Sequence, residues 1–116
     1  VSMRHLHSHE VPLLKHLLGA ARLEVDVDQL LVEPMADGGM GSLQLHPPRG
    51  DRRMGSEVAS CEFTDSDGVA VSATLNLDEQ ERLFELDVWK VDFSQLNRWP
   101  TANDLRESGD LTTGCS

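Results

Sequence analysis

Tyrosine is absent from this chain, tryptophan occurs twice and phenylalanine three times. Aromatic mass for a core or a stacking platform is therefore scarce, and the place of each ring matters. No apolar run approaches the roughly 18 to 20 residues that a membrane-spanning helix requires, and no basic stretch with an apolar run and small-residue cleavage site opens the sequence. A protein that contacts no membrane and is not exported is expected, with the cytoplasm as its compartment. Cysteine is equally sparse: Cys61 falls in a predicted strand and Cys115 one residue from the end, so no bridge between them is expected and neither has a CxxC partner. Basic residues are few as well. Ten Lys and Arg face twenty Asp and Glu, for a formal charge of −10. Such a field repels a phosphate backbone, which argues against nucleic acid, and steers in a basic protein partner.

What remains is enough for one domain, since a chain of 116 residues can bury a core without staples. "SHEVPLLKHLLG" predicts a helix from Ser8 to Gly19, with Ser8 as cap, Pro12 tolerable because it falls early, and Val11, Leu14, Leu17 and Leu18 as its buried stripe. "LLVEPM" and "GSLQLH" across "ADGGM" read as one hairpin, and "EVASCEFT" and "VAVSATLNL" across "DSDG" as a second, where Gly68 supplies the positive φ. "HPPRGDRRMGS" is a loop carrying Arg49, Arg52 and Arg53. "TANDLRESGDLTTGCS", from Thr101 on, has little to bury and predicts a disordered tail. The sum is an α+β domain over residues 3–100: an N-terminal helix on one face of an antiparallel meander of about five strands.

The last strand poses a puzzle. In "LFELDVWKVDF", Phe84, Leu86 and Val88 share one face while Glu85 and Asp87 share the other, but beyond Val88 the parity breaks. Trp89, Val91 and Phe93 then fall with the carboxylates, and Lys90 and Asp92 with the apolar residues. A one-residue β-bulge near Val88 and Trp89 would return the aromatic residues to the core and is the favoured reading. The rival is an unbulged strand with Trp89 beside Asp87 on the wet face as a binding anchor.

Chemistry-bearing patterns are thin. His5, His7 and His9 alternate in "HLHSH", yet no clustered carboxylate follows at ligand spacing, and a solvated N-terminal segment is the expectation. "DSDG" lacks the later ligands of a calcium loop, and "DGGMG" is followed by a strand where a phosphate cradle needs a helix. Met40, held among glycines that let another backbone approach, suits a contact surface. Glu85 and Asp87 lie on one strand face, but nothing encloses them to shift a pKa. No catalytic residue, cofactor or metal is assigned.

Taken together, "DGGMGSL", "EFTDSDG" and "FELDVWKVDF" resemble, in order and spacing, a bacterial domain family of unknown function over about Met35 to Pro100. That resemblance implies a shared fold and no activity. The reading that follows is a non-enzymatic, immunity-protein-like binding module by analogy of size and charge, with Glu85, Asp87 and Asp92 steering a basic protein and Met40 making the apolar contact. The alternative is a small-ligand site or enzyme in which Asp37, Asp87 and Lys90 converge by the first hairpin. A homo-oligomer through sheet edges is compatible with either.

Overall fold

The computed structural model describes residues 3–36, 39–45 and 53–107. Asp37, His46, Arg49, Arg52, Cys115 and the tail from Ser108 lie outside them. Among the described residues, seven strands form one sheet: β1 (Arg4–His5), β2 (Leu31–Pro34), β3 (Leu43–Leu45), β4 (Met54–Thr64), β5 (Ala70–Asp78), β6 (Leu83–Lys90) and β7 (Arg106–Glu107). Their spatial order is β1-β2-β3-β6-β5-β4-β7, with every neighbouring pair antiparallel.

The α+β class and the two hairpins are present, while the strand count and the simple meander are corrected. β1 and β7 are two-residue pairings on the outer edges of β2 and β4, too short to carry a period of their own. β3 lies against β6, not β4, so the chain crosses the sheet between the first hairpin and the β4–β5–β6 meander. Thr101–Glu107 belong to this fold: a 3-10 turn at Ala102–Asp104 leads into β7, and Asp104 pairs with Arg98 at 3.0 Å.

The helix α1 (Val11–Ala20) buries Leu13, Leu14, Leu17 and Leu18 against one sheet face, where Val32, Leu43, Leu45, Phe63, Val71, Leu75, Leu86 and Val88 complete the core. Each such side chain contributes about 1.5–3 kcal/mol relative to exposure. Val11, expected in the stripe, is only half-buried and Leu13 takes its place, because at about 100° per residue Leu13, Leu14, Leu17 and Leu18 form one face and Val11 falls at its edge. The helix also runs past Gly19. Arg22 adopts φ 59° beyond it; its amide donates to the Gly19 carbonyl at 3.1 Å, and the Leu23 amide donates to the Leu18 carbonyl at 2.9 Å. This is a Schellman stop with arginine in the position that favours glycine.

β6 settles the parity puzzle against the bulge near Trp89. Opposite β5 the register is unbroken from Lys90 back to Glu85, so Leu86, Val88 and Lys90 face the core and Asp87 and Trp89 face out. A register shift does occur, at the other end: Glu85 pairs with Asn76 and Leu83 with Leu77, leaving Phe84 as the extra residue. Trp89, Val91 and Phe93 are 44%, 46% and 68% exposed, while Lys90 is fully buried.

Candidate functional site

Lys90 can lie on the core face because the β4–β5 turn delivers two carboxylates to it. Lys90 pairs across the sheet with Val71, close to that turn, and its ammonium donates to Asp65 at 2.8 Å, Asp67 at 2.6 Å and the Gln95 carbonyl at 2.9 Å. Asp65 is buried too, and each of its oxygens accepts twice: one from the Ser66 and Arg98 amides, the other from Lys90 and the Asn97 amide. Burial by itself pushes the Asp65 carboxyl up, but the Asn97 amide, the Lys90 ammonium and the Ser66 amide outweigh it and hold it below the usual carboxylate range. For Lys90, burial pushes down and the bonds to Asp65 and Asp67 prevail, raising it. A buried ammonium with three acceptors meets the condition under which a charge can leave water.

The glycine turn joins the same knot. The chain leaves β6 at Ser42, and side chains replace the lost ladder partners: the Val88 amide donates to the Ser42 hydroxyl at 2.8 Å and the Lys90 amide to the Met40 sulfur at 3.3 Å. The Leu96 amide donates to the Gly39 carbonyl at 3.0 Å. Gly39 and Gly41 have φ of 84° and 109°, and a Cβ on them would come within 2.8 Å of Gln95 Cγ and 3.0 Å of Trp99 Cζ2. Close approach, not anion binding, is thus the use of these glycines. The three stretches singled out in the sequence converge to pin residues 95–99 across the end of the sheet.

Pinning that segment places Trp99 over a cleft of about 280 Å³ that it shares with Arg4, His7, His9, Glu10 and the glycine turn. The N-terminal histidines are exposed, as expected, but the segment that carries them is ordered: β1 pairs with β2, and the turn at Ser8–Glu10 places His7 and His9 at the cleft. Glu10 is buried; Arg4 forks onto its two oxygens at 2.9 Å each, and the His7 amide donates to Oε1 at 2.8 Å. Burial pushes the Glu10 carboxyl up, yet the Arg4 and His7 bonds hold it below the usual range. Sequence reasoning missed this grouping because it looked for a carboxylate at ligand spacing further along; the one beside His9 becomes a partner only through the tight turn.

The remaining candidates lie apart. Asp37 is outside the described residues. Met40 is half-buried and turned inward on Lys90. Asp87 and Lys90 face opposite sides of β6, so the proposed convergence of Asp37, Asp87 and Lys90 is not formed by the two that can be seen. Glu85 is half-buried and accepts from the Asn76 amide at 3.0 Å; Asp87 is exposed, 3.3 Å from the Ser42 hydroxyl. Asp92 caps the turn after β6, where the Ser94 hydroxyl and amide lower its pKa. The open sheet face bears two cross-strand rows, Glu33–Gln44–Glu85–Asn76 and Trp89–Ser72–Glu62–Arg106.

These elements define a one-helix, antiparallel-sheet α+β domain with an acidic open face and a histidine-lined cleft. The chain belongs to the domain family DUF6984, a domain of unknown function, whose model matches residues 3–100. Comparison with curated proteins and with solved structures finds no match. Among the described residues, no helix is long and apolar enough to cross a membrane.

Proposed function

We propose that this domain is a non-enzymatic binding module whose open sheet face holds a basic protein, with Trp89 and Phe93 as its apolar anchor. The observation that carries this reading is Phe93. A bulky aromatic at φ 63°, it occupies a left-handed conformation costing about 1–3 kcal/mol, and it is 68% exposed. That strain yields no core packing; it sets the ring edge-on to Trp89 at 5.9 Å, with Val91 exposed beside them. Exposed aromatic clusters of this kind serve as interface anchors.

Charge selects the partner. Glu33, Glu62, Glu85 and Asp87 lie on this face, and Arg106, on β7 at its far edge, is the sole Lys or Arg among the described strand residues there. A second copy docking here would set these carboxylates against one another, which disfavours self-association through this face. A small acidic immunity protein that neutralises a basic toxin would be one form of such a module.

The test uses three baits in host lysate at low and high salt: the wild-type chain, Trp89→Ala/Phe93→Ala and Glu85→Lys/Asp87→Lys, each checked for folding by circular dichroism. A basic protein retained by the wild type at low salt and reduced at least about thirtyfold on the aromatic variant supports the assignment, that factor corresponding to a hot spot of about 2 kcal/mol. Equal retention on all three baits refutes it. So does sedimentation of the wild type as a dimer that the aromatic variant converts to monomer, which would make the patch a self-association surface.

A further inference from the structure

We propose that His7, His9 and Glu10 form a binding site for a divalent transition-metal ion, of which zinc is the type, at the mouth of the cleft beside Trp99. One nitrogen from each imidazole and one carboxylate oxygen lie within 4.8 Å of one another. Tetrahedral zinc with ligand bonds of about 2.0–2.1 Å needs ligand atoms about 3.4 Å apart, so no pair has to close by more than about 1.4 Å. The two groups that have to move, His7 and His9, are exposed, with their rings 5.2 Å apart, so a change of rotamer displaces no core packing. The group that should stay fixed does. Glu10 is 3% exposed and anchored by the Arg4 fork and the His7 amide.

That anchoring leaves coordination capacity. Glu10 Oε1 already accepts from both Arg4 and the His7 amide, whereas Oε2 accepts from Arg4 and keeps a lone pair. A ligating carboxylate held by an outer hydrogen-bond donor is the usual support of a metal site, and Arg4 fills that place. Two imidazoles and one carboxylate favour zinc and its borderline neighbours over magnesium or calcium, which take oxygen ligands. Three protein ligands leave at least one position open towards the cleft, where a water or an anionic group could complete the shell. The site is independent of the acidic sheet face: its ligands come from the chain before α1, on the core side of the sheet, where Arg4 pairs with Val32.

Trp99 provides a local reporter, since its ring lies 5.9 Å from that of His9. In an untagged Trp89→Phe chain, Trp99 is the sole tryptophan, and titrating cobalt(II) should quench its emission saturably. Calorimetry with zinc should give one ion per chain, with binding weakened at least about tenfold by His7→Ala and by His9→Ala. His5→Ala and His16→Ala should leave both readouts unchanged. Because His7 and His9 are exposed, their variants should keep the wild-type circular dichroism spectrum, so loss of binding reads out ligation. Zinc binding undiminished by the combined His7→Ala/His9→Ala substitution, or no saturable binding by the wild type, overturns the assignment.

Discussion

Replacing Asp65 by Asn tests whether the Lys90 knot holds the C-terminal part of the domain in place. The carboxylate accepts four bonds, two on each oxygen. An amide keeps one acceptor oxygen, so at best two bonds survive, and its NH2 group confronts the donors that used the other oxygen. Lys90 retains Asp67 and the Gln95 carbonyl, so it is not stranded and the loss falls at the low end for a broken buried pair. Two lost bonds to a charged acceptor, at about 1.5 kcal/mol each, amount to about 3 kcal/mol. With an unfolding entropy of about 0.24 kcal/mol/K for a chain of this length, Tm should fall by about 12 °C. Thermal denaturation followed by circular dichroism measures this. Hydrogen exchange gives the local readout: the amides of Asn97 and Arg98, tethered by Asp65, should lose protection before those of β5. A Tm drop below about 4 °C, or unchanged exchange at those amides, would refute the view that Asp65 is the clasp. Combining Asp65→Asn with Lys90→Met should be less damaging than the sum of the two single changes, because the partners are coupled.

Three further outcomes follow from the same structure. Asp65 has a folded pKa below its unfolded value of about 3.9, so its contribution is complete above about pH 4 and is lost as pH falls through the lower folded value; Lys90 is raised, so its contribution is complete below about pH 10.4 and is lost at more alkaline pH. Urea midpoints should therefore fall as pH drops below about 4, with that acid limb shallower in Asp65→Asn; an identical acid limb would contradict the assignment. Arg22→Gly should raise stability by about 0.5–1 kcal/mol, because glycine relieves the left-handed strain at the helix stop, and a lower Tm would count against the Schellman geometry. Burial, then the neighbouring Glu62 charge, pushes the Cys61 thiol up to about 12, so iodoacetamide should leave Cys61 unlabelled in the native protein and modify it in urea, as peptide mass spectrometry would show.

How much of this is legible in the sequence depends on whether a feature is local. Periodicity marks α1, and alternation marks the β4–β5 hairpin, where Val71, Ala73, Leu75 and Leu77 are buried as their spacing predicts. The strand parity of "ELDVWK" even places Lys90 on the apolar face and Trp89 on the wet one. Preferring a bulge there rested on the average behaviour of Lys and Trp, which tertiary structure overrides. The correcting signal was present in outline: a strand that directs a lysine inward needs an acid nearby, and "DSDG" is the turn next to it.

The sequence by itself determines the elements, because helix and strand periods and turn residues act between near neighbours along the chain. Only the tertiary structure decides that Asp65 and Asp67 neutralise a buried Lys90, that Gly39 and Gly41 make room for Gln95 and Trp99, and that His7, His9 and Glu10 meet beside Trp99. It also decides that β3 pairs with β6 and that residues 106–107 add an edge strand. For Lys90 and the two glycines the physical reason is the same. Desolvation and Coulomb attraction depend on distance in space, and the partners that make a buried charge tolerable or a glycine necessary lie tens of residues away along the chain.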